Sequence, residues 1–74
     1  TTPYRAWRIL LLNTAIVAVR AQNAEAIGRS FERLKQRLPD DAEAFFAEAA
    51  KQADEGDFDP EVAELVRSYA GGAQ

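Results

Sequence analysis

From Ile9 to Val19 the chain reads ILLLNTAIVAV, a block with only Asn13 and Thr14 polar, bracketed by Arg5 and Arg8 before it and Arg20 after it. Eleven residues fall well short of the roughly 20 that a helix needs to cross a bilayer. Arg20 also interrupts the small-residue site at which a signal peptide would be cut. The block therefore reads as a helix segment buried among protein, and the cytoplasm is the default compartment. A helix that is apolar on every side requires neighbours on every side, and this requirement governs everything else in the chain.

The neighbours must come from a short sequence. Seventy-four residues bury only about 60% of their unfolded surface, so a chain of this size standing alone is marginally stable. Cysteine and histidine are both absent. That removes disulfides, thiolate chemistry and the usual zinc, copper and haem ligands together, and no cofactor or metal is expected. With 47% hydrophobic and 28% charged residues the chain is too apolar for a disordered one, and alanine supplies much of the share.

Helix signals divide the sequence, and strand-like alternation is absent. Thr2-Pro3 is a hydroxyl cap followed by a ring that lacks only an N–H the helix would leave unpaired. Nothing then forbids helix until Pro39, although Gly28 costs about 1 kcal/mol against alanine and Gln22 to Ser30 is where a kink or break would fall. The expectation is one long, kinked or broken helix over 3–38. Pro39 closes it, Asp40 or Asp41 caps a second helix over 41–55 that Gly56 stops, and Asp59-Pro60-Glu61 opens a third over 60–70, ended by Gly71-Gly72 before a tail at 71–74. The fold class is all-α, a single small helical domain whose bundle is completed by a second copy or a partner.

An inventory of large apolar side chains supports that completion. Thirteen lie before Pro39 (Tyr4, Trp7, Ile9, Leu10, Leu11, Leu12, Ile16, Val17, Val19, Ile27, Phe31, Leu34 and Leu38), and seven after it (Phe45, Phe46, Phe58, Val62, Leu65, Val66 and Tyr69). Two short helices cannot surround a rod of about 50 Å. Each large side chain left in water forgoes about 1.5–3 kcal/mol, so exposure of several would cancel the stability of a small domain. The expected interface is Trp7, Ile9, Leu10, Leu11, Leu12, Ile16, Val17 and Val19, and the expected partner is the chain itself or another protein. A membrane surface, with Trp7, Tyr4 and three arginines at the ends of the segment, is a weaker reading.

Asn13, Arg20 and Asn23 sit on or beside the apolar line through Ile9, Ile16 and Ile27. Two readings compete for them. They set helix register, as buried polar residues do in coiled coils, or they form a polar site in which Arg20 holds an anion and the asparagines orient it. The register reading is preferred.

Charge is as lopsided as hydropathy. Residues 1–38 hold seven Arg/Lys against two Glu, net +5, and residues 39–74 hold two against ten Asp/Glu, net −8, giving −3 overall. The basic run Arg29, Arg33, Lys35, Arg37 is read as facing the acidic half, within the chain or across a dimer, and nucleic acid is disfavoured as a partner; the last helix carries Glu61 and Glu64 against Arg67, the wrong sign for a groove. Asp54, Glu55, Asp57, Asp59 and Glu61 do not match calcium-loop spacing and read as helix-capping acids. With no histidine or cysteine and no glycine-rich phosphate loop, an interaction module (a subunit, adaptor or regulator) is expected rather than an enzyme, and the alternative is a ligand-sensing or enzymatic bundle using Arg20 with Asn13 and Asn23.

Overall fold

Described over residues 3–56 and 58–71, with side chains from residue 5 onward, the computed structural model folds into four helices and, among these residues, no strand. They are α1 (Pro3–Ala21), α2 (Ala24–Arg37), α3 (Pro39–Glu55) and α4 (Pro60–Gly71). The expected single helix over 3–38 is thus corrected to two. The expected Thr2 cap and the tail beyond Gly71 lie outside the described residues.

The break falls at Gln22-Asn23, and Gly28, the expected weak point, lies inside α2. Gln22 N–H donates to the Val19 carbonyl at 3.0 Å and Asn23 N–H to the Ala18 carbonyl at 3.3 Å, the paired bonds of a Schellman helix end. The left-handed position of that motif usually holds glycine; here it holds Gln22, with φ 51°. Two side chains hold the turn. Gln22 Oε1 accepts from Asp59 N–H at 2.8 Å, and Asn23 Oδ1 accepts from Ala26 N–H at 3.1 Å, which caps α2.

At the next corner Pro39 begins α3 rather than closing a helix. The clash of a proline ring with the residue before it drives Leu38 out of helical geometry, to φ −135° and ψ 61°. Leu38 then serves both helices: its N–H donates to the Leu34 carbonyl and its carbonyl accepts from Ala42 N–H, both at 2.8 Å. Neither Asp40 nor Asp41 is the cap; both lie in the first turn of α3, where the helix dipole favours acids.

These two corners return α2 against α1 and place α3 and α4 against α2. The centre is Phe31, fully buried with Ile27, Leu34 and Val66. Its ring stacks on Phe46 at 4.8 Å and meets Phe45 and Tyr69 edge-on at 5.6 and 5.2 Å. Ala15, Ala18, Ala42, Ala49, Ala53 and Ala63 are buried too, and such small side chains let helix axes approach closely.

Candidate functional site

Helix α1 divides by face. Leu11, Ala15, Ala18 and Val19 point into the chain and are buried, and Leu12 is half-buried against them. On the opposite side Ile9, Leu10, Ile16 and Val17 stay 49, 61, 38 and 63% exposed, and Trp7 is 38% exposed at the edge. The expected interface is therefore narrower than the sequence implied: Leu11 and Val19 belong to the core, because α2 folds back and covers their side. No helix of the described residues is long and apolar enough to cross a membrane.

The polar residues on the apolar line separate. Asn23 is committed to capping α2. Asn13 and Arg20 are exposed on the same outward face as Ile9, Ile16 and Val17, with Asn13 near the middle of the stripe. The three do not converge on one cavity. Arg20 instead lines a groove of about 350 Å³ between α1 and α3, with Ile16 and Val19 on one wall and Phe45, Glu48, Ala49 and Gln52 on the other.

The stripe has two unlike edges. Towards α2 it borders Arg29 and Arg33, which share a small cleft with Leu11 and Thr14, and Arg37, whose guanidinium sits 5.0 Å from the centre of the Trp7 ring. Towards α3 it borders Asp41 and Glu48. Arg8 grips Asp41 with both ends of its fork, Nε donating to Oδ2 at 2.7 Å and Nη2 to Oδ1 at 2.9 Å, which ties α1 to α3. That hydrogen bond and the Arg8 charge hold the Asp41 carboxyl below the usual carboxylate range.

None of the basic run pairs with an acid of residues 39–74 among the described residues. Lys35 pairs with Glu32 on its own helix at 3.8 Å and lies 5.5 Å from the centre of the Tyr69 ring, while Arg29 and Arg33 have no ion-pair partner among the described residues. Of the acidic loop, Asp54 pairs with Arg67 at 2.8 Å, Asp59 opens α4 through its carbonyl, and Asp57 lies outside the described residues.

A larger cleft, about 660 Å³, opens on the far side between α2, α3 and α4, with Phe46, Leu65, Tyr69, Glu32 and Lys35 on its walls. Sequence reasoning did not single out this cleft, since its residues come from three helices. Tyr69 OH donates to Glu32 Oε2 at 2.8 Å. Burial, reinforced by the Glu32 carboxylate, pushes the phenol up to about 12. The hydroxyl is thus a fixed donor at neutral pH with its proton already spent on Glu32.

Fold and site together define a small four-helix protein whose most conspicuous surface is an uncovered apolar helix face. Comparison with protein families, with curated proteins and with solved structures finds no match.

Proposed function

We propose that the chain is a helical protein–protein interaction module that docks, on a second copy or another protein, through the outward face of α1. One observation carries this: Ile9, Leu10, Ile16 and Val17 stand in solvent along one side of the helix. Single exposed apolar residues need no explanation, but a contiguous stripe of them on one helix is the mark of a binding surface. Asn13 and Arg20 belong to that face as specificity elements, which makes a separate ligand pocket built on Asn13, Arg20 and Asn23 the weaker reading. A membrane surface is weaker as well, since Asn13 stands near the middle of the stripe and its amide would lose water against lipid with nothing in exchange.

A photo-crosslinking side chain at position 17, introduced into the chain in living cells, tests the reading. Covalent adducts with a polypeptide are expected from position 17 and not from Glu64, an exposed site on α4. Leu10→Lys combined with the photo-crosslinking side chain at position 17 is expected to abolish the adducts while leaving the fold intact. A folded chain that yields no adduct from position 17 would overturn the proposal.

A further inference from the structure

We infer that the occupant of the α1 face is a second copy of this chain, packed about a two-fold axis at Asn13 with the two α1 helices parallel. The inference rests on the docking reading above and names the partner. Its first support is spacing. Ala6, Ile9, Asn13, Ile16 and Arg20, all exposed, follow one another at alternating steps of three and four residues, the a and d pattern by which one helix runs alongside another.

The second support is Asn13, exposed at the centre of that seam and without a side-chain hydrogen bond among the described residues. Laid against an apolar groove or a lipid surface, its amide would lose water from two donors and a carbonyl with nothing in exchange. Opposite its own copy the amide meets an amide, donor to acceptor in both directions. An asparagine at a single seam position is a known means of setting register and two-strandedness.

Charge supplies the third and chooses the orientation. The α2 edge of the stripe is basic, with Arg29 and Arg33; on the α3 edge Asp41 is already held by Arg8, and Glu48, in the groove with Arg20, is the carboxylate left without an ion pair among the described residues. A two-fold axis along the helices sets each α2 edge against the partner's α3 edge, so base meets acid twice; antiparallel helices would set arginine against arginine and carboxylate against carboxylate. Arg20 reaches the seam only in the last turn of α1, beside Glu48 of its own chain, and its long side chain can leave the seam there. A single helix pair falls below the roughly 800 Å² per partner of a standard interface, so dissociation in the micromolar range is expected.

Sedimentation equilibrium of the unaltered chain from about 1 to about 500 µM brackets that range; it is expected to show growth from 8.2 kDa to twice that mass. Because the chain has no cysteine, Asn13→Cys and Ala6→Cys each report one contact, and both are expected to form disulfide-linked pairs under mild oxidation. Glu48→Arg and Arg33→Glu are each expected to weaken the pair roughly threefold to tenfold, and their combination to restore it. A chain that stays at 8.2 kDa throughout overturns the inference. So does a pair in which a cysteine at position 6 links only to one at position 20, since that marks antiparallel helices. If the chain is monomeric and position 17 still crosslinks to a different polypeptide, the partner is wrong and the docking reading stands; if it crosslinks to nothing, both fall.

Discussion

Gln22 and Asn23 carry the turn that separates α1 from α2, and each does so with its side chain. Asn23→Ala removes the cap on Ala26 N–H and is expected to cost about 0.5–2 kcal/mol in urea denaturation, with unchanged secondary structure. A cost within error would mean that the cap is replaced by water. Gly28 presents the opposite case. A Cβ built there meets nothing within 4 Å, and the residue lies in a regular helix, so Gly28→Ala is expected to stabilise by about 0.5–1 kcal/mol and raise Tm by several degrees. Tyr69 adds a pH signature. Its phenol is raised to about 12 in the fold from an ordinary 10.0, so the folded state keeps a proton that the unfolded chain releases first. The stabilisation is complete below pH 10.0 and is lost as pH rises towards about 12. Stability measured across that window is expected to fall less steeply in Tyr69→Phe.

The four helices owe their starts and ends to different causes. Asp59-Pro60 and Gly56 were legible because proline at a first helical position and glycine at a helix end act locally, whatever the rest of the chain does. The end of α1 was bracketed between Gln22 and Ser30, but its position at Gln22 was not legible. Its left-handed residue is a glutamine, and the Asp59 N–H that holds the Gln22 side chain lies 37 positions away. Helix α1 shows the same contrast between its two faces. Every one of its large apolar residues was marked as needing cover, but only folding shows that α2 and its neighbours cover Leu11, Ala15, Ala18 and Val19 and leave Leu10 and Val17 outside. Leu10→Lys with Val17→Lys is therefore expected to change the chain's intrinsic stability by no more than about 0.5 kcal/mol, whereas Leu11→Lys should unfold it. Thermal melts of the two variants at a concentration too low for self-association distinguish the faces.

At the scale of the whole molecule the chain is held by one aromatic centre. The radius of gyration is 11.9 Å, close to the about 11 Å of a compact chain of this length. Phe31 is fully buried and touches the rings of Phe45, Phe46 and Tyr69. Phe31→Ala is expected to cost about 3–5 kcal/mol, enough to leave most of the chain unfolded at 37 °C, as circular dichroism would record.

What the amino-acid sequence alone determined is the all-helical class, the proline-led start of α4, the apolar excess in the first helix and the lack of histidine and cysteine chemistry. Each follows from local propensity or from composition, which no partner can alter. Tertiary structure decided the helix count, the identity of the covered side of α1, the Arg8–Asp41 clasp and the basic edge that Arg29 and Arg33 set beside the exposed stripe. Those depend on where a chain that turns at Gln22 and Leu38 brings residues dozens of positions apart, and periodicity within one helix carries no record of which of its sides the others will choose.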